Sequence, residues 1–386
     1  MSKRHPSPPA VTIAPSLVEA LRVIPDHRSE VGRLHPLDTI LVIAICAMIC
    51  GADNWVGIEA WAKAKQEWLK TFLDLPNGVP SHDTFGRVFS ALDPDAFQQA
   101  FIAWTAGLSS PLDGDVVAID GKTLRRSFAR ASKRAAIHMV SAWSARQGIS
   151  LGQLKTAEKS NEITAIPRLL NKLRLKGAIV TIDAMGCQKK ITATIVDRGA
   201  DYVIAVKDNQ PKLYQGIKDW FDAAVDADPA DCALLTATTT ERSHGREEVR
   251  TVWVGAPPAN LPKREEWAGL RSLACVESVR TLNGKTSVFH RFYISSLKPE
   301  APEKMLRIVR EHWAIENSLH WVLDMSFRED DARARVDNAA ENLSRLRHFA
   351  LNLIKMEPSR KVGVKTSRMR AGWDHDYLLK ILGVSS

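Results

Sequence analysis

Two stretches leave this chain little freedom in how it can fold. VVAID (116–120) and GAIVTID (177–183) are unbroken apolar runs, each closed by an aspartate. An apolar run without alternation has no face to offer water, so it reads as a strand covered on both sides. A third such run, DYVIAV, spans 201–206. Between the first two lie IHMVSAWS and GISLGQLKT, which flank Arg146-Gln147-Gly148 as a hairpin signal, and the helical segment EITAIPRLLNKL. CQKKITATIVDRG, a helix closed by Gly199, joins the second run to the third. Strand, hairpin, helix, strand, helix, strand predicts a mixed α/β sheet with helices on its faces.

The chain has 386 residues, enough for more than one core. Residues 16–108 read as helical. LDTILVIAICAMICG begins after Pro36 and stops at Gly51, and GIEAWAKAKQEWLKTFL carries apolar residues at helical spacing. After the turn LPNGVP, Ser81 caps HDTFGRVFSAL, and Pro94 opens DAFQQAFIAWTAGL. Tight turns between short helices fit a bundle. The segment 81–92 offers His82, Asp83 and Arg87 on its exposed side, which suits either a DNA-recognition helix or a plain structural or dimerisation module. Residues 207–300 alternate and are Thr-rich, a β-rich insertion. A long helix is expected over 302–327. Asn338 and Glu341 form a capping-box pattern before the last long helix. The end of the chain is mildly basic and expected to dock loosely.

Lys plus Arg number 53 against 44 Asp plus Glu, a net charge of +9. This favours a polyanionic partner without establishing one. The longest apolar run, Ile40 to Cys50, is too short for a bilayer, which needs about 20 residues. The basic N-terminus lacks the apolar core of a secretory signal. Cys46, Cys50, Cys187, Cys232 and Cys275 contain no CxxC pair, so reduced thiols in a cytoplasm are expected.

An aspartate at a strand end is usually a turn or helix cap. Two of them in one sheet, Asp120 and Asp183, are harder to dismiss. Neighbouring strand ends bring carboxylates together, and like charges there call for a cation between them. Hard oxygen ligands suit Mg²⁺. On the long helix Glu316 lies seven residues from Val309 and from Leu323, so it sits in the middle of an apolar stripe flanked by Trp313 and Leu319. A carboxylate there needs a partner: either His312 and His320, four residues away on each side, or a metal beside the two aspartates. Lys122, Arg125, Arg126, Arg130, Lys133 and Arg134 form an acid-free basic cluster after Asp120, suited to a solvated face or to a phosphate backbone. Lys207 ends the third strand in a similar position. Gln188 suits a helix N-terminus better than a role in positioning DNA or a metal-bound water.

AIDGKTLRRS, TIDAMGCQ, DYVIAVKDNQPKLY and REHWAIENSLHWVLDMSFRED, in this order, resemble the DDE transposases of bacterial insertion sequences, and most nearly the H-repeat-associated, ISAs-type group. IPDHRSEVGRLHPL, CGADNWVGIEAWA and GVPSHDTFGRVFSALDP resemble that group's N-terminal associated domain. The likeness covers about residues 18 to 356. It implies a ribonuclease-H-like core with a β-rich insertion. The division is then a flexible N-terminus (1–17), a helical associated domain (18–108), a catalytic domain (109–356, insertion at about 226–298) and a basic C-terminal tail (357–386). It further implies Asp120, Asp183 and Glu316 as the triad, two Mg²⁺ ions with Mn²⁺ able to substitute, double-stranded DNA as partner, a homodimer in the synaptic complex and a place in the bacterial cytoplasm. Many relatives carry Tyr, Arg and Lys at minus seven, minus four and plus seven from the glutamate. Here Val309, His312 and Leu323 stand there. Arg310, His312 and Arg328 become the candidates for cationic help, and Glu311 and Glu329 the fallback ligands. Three functions compete: a transposase, a catalytically silent DNA-binding descendant, and a nuclease of the same fold.

Overall fold

The computed structural model describes residues 15–31, 33–128, 135–156, 162–226, 234–243 and 245–383. Residues 1–14, Arg130, Lys133, Arg134 and Cys232 lie outside the described residues.

The strands are β1 (Val116–Thr123), β2 (His138–Ser144), β3 (Ile149–Lys155), β4 (Ile179–Ile182), β5 (Asp201–Val206), β6 (Leu235–Ser243), β7 (Arg246–Gly255), β8 (Ser272–Leu282) and β9 (Lys285–Ser295). The first helices are α1 (Pro15–Arg22), α2 (Leu37–Ile49), α3 (Trp55–Ala64), α4 (Gln66–Leu69), α5 (His82–Ala91) and α6 (Pro94–Leu108). Then come α7 (Glu162–Lys172), α8 (Lys189–Asp197), α9 (Pro211–Asp226) and α10 (Pro302–His312). The last are α11 (Trp321–Phe327), α12 (Ala339–Met356), α13 (Val364–Trp373) and α14 (His375–Ile381).

The chain forms two compact units. One is Ser110–Lys122 with Met139–Leu319; the other is Met1–Ser109 with Thr123–His138 and His320–Ser386. The first is built on one sheet, in the order β3-β2-β1-β4-β5-β9-β8-β7-β6. The three apolar runs of the sequence are its middle: β1 pairs parallel with β4, and β4 parallel with β5. The β2–β3 hairpin turns at Gly148, whose φ of 66° an L side chain rarely adopts. The β-rich segment is no separate sheet. β9 pairs antiparallel with β5, from Val203↔Ser295 to Val206↔Phe292, so β9 to β6 widen the central sheet by four strands. Helix α10 lies on this sheet. Met305, Leu306, Ile308 and Val309 share one core with Val116, Ile179 and Val203 of the parallel strands and Val252, Val254, Ala274 and Val276 of the added ones.

The second unit is helical. Nearly every residue of α2 is buried, as expected of a helix apolar on all sides. Phe97, Phe101 and Trp104 of α6 pack on Phe349 of α12, with ring centroids 4.8–5.4 Å apart. The segment read as one helix from Gly57 to Leu73 breaks at Lys65, where φ is −109° and ψ 12°. Beyond the break the Trp68 ring stacks on His375, with centroids 4.9 Å apart. Asn338 precedes α12 without a side-chain cap. Its Nδ2 donates to Leu92 O, and Glu341 pairs with the buried Arg345 at 3.1 Å. Neither group caps the helix: Asn338 makes a tertiary contact and Glu341 an i,i+4 pair within α12.

The C-terminal segment does not dock loosely. Tyr377, Leu378 and Ile381 of α14 are buried, and Arg368 of α13 donates to Met48 O at 2.8 Å and to Asp53 Oδ1 at 2.6 Å. The Arg368 guanidinium also lies 4.1 Å from the Phe327 ring centroid. Arg368 thus satisfies a carboxylate and a buried carbonyl near the end of α2, which composition alone does not reveal. Among the described residues no helix is long and apolar enough to cross a membrane. Breaking a buried ion pair on one side costs about 3–5 kcal/mol. Arg368→Ala should therefore lower unfolding stability by roughly 3 kcal/mol in urea, and a change below about 0.5 kcal/mol would show that the segment contributes little.

Candidate active site at the ends of the parallel strands

Strands β1 and β4 pair in register from Val116↔Ile179 to Ile119↔Ile182. The next residue on each is an aspartate, so Asp120 and Asp183 stand at the same level on strands about 4.8 Å apart. Asp120 is not the last residue of its strand, because β1 runs on to Thr123. The extension follows β2, with Leu124 N–H donating to Ile137 O at 2.9 Å. β4 stops at Ile182, and Asp183 starts a 3₁₀ turn over Ala184–Gly186. Its Oδ1 accepts from the N–H groups of Met185 at 3.0 Å and Gly186 at 3.4 Å. Asp183 is thus a cap and a strand-end acid at once. The turn is held tightly: a Cβ on Gly186 would collide with Ile182, with Ile166 of α7 close behind. From the other side Asn209 donates to Ala184 O at 2.7 Å, and Gln210 to Cys187 O at 2.9 Å.

The two carboxyls are held above the usual range. Burial, followed by the charges of Glu162, Asp183 and Glu316, pushes Asp120 up to about 7. Desolvation and then Glu162 raise Asp183, while Lys207 at the end of β5 opposes them. Three acids thus bear on Asp120, and one of them, Glu162, on Asp183 as well. Among the described residues no three His, Cys, Asp or Glu side chains converge into a ready-made metal cage.

Glu316 reaches this neighbourhood by a different route from the one its spacing suggested. The expected long helix ends at His312, and residues Glu316–His320 form a π-helical turn before α11. The wider turn destroys the seven-residue alignment. Val309 and Leu323 are buried, whereas Glu316 is exposed. The apolar stripe with a buried glutamate was thus an artefact of assuming an unbroken α-helix. His312 does not pair with Glu316 but lies with Nδ1 3.0 Å from Thr181 Oγ1 on β4, fixing the end of α10 over the sheet. Burial drives the His312 ring down to about 4, so it carries no charge at neutral pH and supplies no cationic help.

The other basic candidates scatter. Lys207 is exposed beside Asp183, and Lys122 is half-buried on β1. Arg310 is engaged by Glu241. Arg125, Arg126, Arg328 and Arg87 belong to the helical unit. There Arg125 pairs with Asp330 at 3.1 Å, Arg126 with Asp331 at 3.5 Å and Arg328 with Asp331 at 3.3 Å. Arg87 is exposed on α5, as read. Of the fallback acids, Glu311 pairs with Arg307, and Glu329 is buried and accepts from Ser344 Oγ at 2.8 Å. Gln188 is the N-cap residue of α8.

Glu162 is the residue that the sequence reading missed. It opens α7 one turn before the buried Ile166 and so faces the packed side of the helix. An acid at helical spacing from apolar residues was the available signal.

The region 111–353 matches the family described as Transposase DDE domain, and 18–105 matches the family described as DDE_Tnp_1-associated. The chain belongs to the DDE transposase family. It is 41% identical over 374 residues to the Escherichia coli K12 protein named "H repeat-associated putative transposase YhhI", covering 96% of this chain and 98% of that one. It is 43% identical over 375 residues to "Putative transposase YncI" of Escherichia coli O157:H7, covering 96% and 95%. A solved piggyBac transposase synaptic complex with hairpin DNA overlaps 94% of this chain and 76% of that one, at a TM-score of 0.44 and 9% identity.

Protonated Asp120 is the form the fold prefers. Its folded value near 7 lies above the ordinary 3.8, so the associated stability is complete below about pH 4 and is lost as pH rises through about 7. Asp120→Asn should accordingly raise the melting temperature at pH 8 by several degrees, at about 2–4 °C per kcal/mol, and leave it nearly unchanged at pH 4.5. Calorimetry showing an unchanged or lowered value at pH 8 would contradict an Asp120 carboxylate destabilised by burial and neighbouring acids.

Proposed function

We propose that this transposase nicks the ends of an insertion sequence and joins the freed 3′-ends to target DNA, with Asp120, Asp183 and Glu316 as its catalytic acids. The observation that carries the reading is the β1–β4 register, which sets two aspartates side by side with a third acid near enough to shift Asp120. Such a cluster is electrostatically unfavourable by itself and suits divalent cations. All the donors are hard oxygens, which fit Mg²⁺ or Mn²⁺. Two ions bound there would supply Lewis acidity at the reacting phosphate and nucleophile activation near neutral pH.

The protein's own groups have separable tasks. Asp183 is oriented by two backbone N–H groups, so its carboxylate is fixed before any ligand arrives. Asp120 stands within β1, so the sheet fixes its backbone. Glu316 lies on the π turn, the least regular of the three positions and the one best able to adjust. Lys207 can hold a phosphate oxygen beside Asp183. The DNA is double-stranded, both element ends and target, and a homodimer would bring two ends together. The place of action is the bacterial cytoplasm, where the nucleoid lies.

A cleavage assay on DNA carrying the flanking ends of the element tests this, with and without Mg²⁺. Asp120→Ala, Asp183→Ala and Glu316→Ala should each reduce 3′-nicking by at least about a thousandfold while changing DNA binding by less than about twofold. Full nicking by any of the three would remove that residue from the set. Binding without cleavage by the wild type would instead identify a silent descendant, and cleavage without joining a nuclease. Glu162→Gln should leave nicking measurable but shift the Mg²⁺ concentration at half-maximal rate severalfold, because it alters the charge felt by both aspartates. An unchanged metal titration would confine Glu162 to a structural role.

A further inference from the structure

Helices α7 and α8 pack against each other in the sheet unit, and between them lies a cavity of about 560 Å³ that none of the three catalytic acids lines. Each helix turns its apolar side inward. Ala165, Ile166, Leu169 and Leu170 of α7 are buried, as are Ile191 and Ile195 of α8. With those positions inside, helical spacing gathers Thr164, Arg168 and Asn171 on the outer side of α7, and all three are exposed. On α8, Lys190 is exposed and Thr194 follows one turn later. These five residues line the cavity.

Exposed cations are ordinary where acids are interspersed among them. Here no Asp or Glu is in the lining among the described residues. Lys189, also in the lining, is engaged by Glu266, but no carboxylate pairs with Arg168 or Lys190 among the described residues. The other polar side chains facing the cavity are amides and hydroxyls, each able to donate a hydrogen bond. A hollow with unpaired cations, donors throughout and no acid is complementary to an anion rich in acceptor oxygens. Its volume is far more than one phosphate group needs and lies in the range of sites for extended ligands. Gln188 and Gln210 also line it, and Gln210 donates to Cys187 O at 2.9 Å. The cavity therefore adjoins the turn that carries Asp183.

We propose that this groove grips the phosphate backbone of duplex DNA without regard to sequence, as a target duplex requires. Arg168 and Lys190 each meet one phosphate, and Asn171 and Thr194 donate to neighbouring oxygens. The inference rests on the function proposed above, since it takes DNA to be the substrate. Contacts to phosphate fix where a duplex lies and carry no sequence information. One short turn separates Asp183 from Gln188, so a strand with its reacting phosphate at the acids can continue into the groove.

The test uses the full chain and two fluorescent duplexes of equal length, one of arbitrary sequence and one carrying the element end. Binding is followed by anisotropy between about 50 and 200 mM salt. Arg168→Ala/Lys190→Ala should weaken both duplexes by the same factor, roughly tenfold or more at the lower salt, and reduce the slope of log affinity against log salt by about 2. Arg168→Lys/Lys190→Arg should keep the wild-type slope. Lys298→Ala/Lys304→Ala removes the same charge outside the groove and should change the slope by less than about 0.5. Melting temperatures within about 2 °C of the wild type would exclude misfolding as the cause. Three results would each overturn the proposal: an unchanged slope in the groove variant, an equal fall in the variant outside it, or a loss confined to the element-end duplex. The nicking assay separates the two readings. Normal nicking with an unchanged slope removes the groove alone. Weakened binding in the groove variant, with no nicking by the wild type, removes the catalytic reading and leaves the groove standing.

Discussion

The burial of two carboxylates set side by side by strand register is the constraint on which the rest of this structure depends. Parallel pairing of β1 with β4 stops at Ile119 and Ile182, and the chain places an aspartate next on each strand. Folding free energy cannot favour that arrangement, as the upward displacement of both groups shows. The apolar runs that bury the strands must outweigh it. A site that opposes its own fold and would be relieved by bound cations is the usual relation between stability and function.

The strands added after β5 give this sheet a second purpose. They extend the surface on which α10 rests, and the helix buries Met305, Leu306, Ile308 and Val309 against both the parallel and the added strands. The hydrogen bond between His312 and Thr181 fixes where the helix ends. Glu316 comes four residues later, on a π turn, so its position follows from the docking of α10 rather than from any property of its own neighbours. The same termination exposes Trp313 over the cavity beside Asp183. One helix end thus bears on both the position of Glu316 and the exposure of Trp313.

The helical unit shows how far charge can be taken inside when each group finds partners. Arg345 is fully buried and reaches Gln98, Asn342 and Glu341. Arg368 is held by Met48 O and Asp53. Such residues add little net stability over an apolar core but are costly to leave half-paired, so they fix which helices meet. They also account for part of the basic character of the chain without any DNA. Net charge was therefore a weaker guide to partners than it looked.

The sequence by itself determined the parallel centre of the sheet, since unbroken apolar runs have no stable place except between two covered faces. It also determined the hairpin at Gly148, the all-apolar α2, the cap at Ser81 and the helix start at Pro94, all of which rest on local chemistry. The two aspartates were legible because they follow directly from those strands. Glu316 was singled out on an apolar stripe that the structure does not have: a 3.6-residue period assumed through a π turn predicts burial where there is exposure. Tertiary structure alone decided the continuity of the inserted strands with the central sheet, the docking of the C-terminal helices, the charge state of His312 and the approach of Glu162. Each of these depends on contacts between residues distant in sequence, through pairing partners and desolvation that no local pattern encodes.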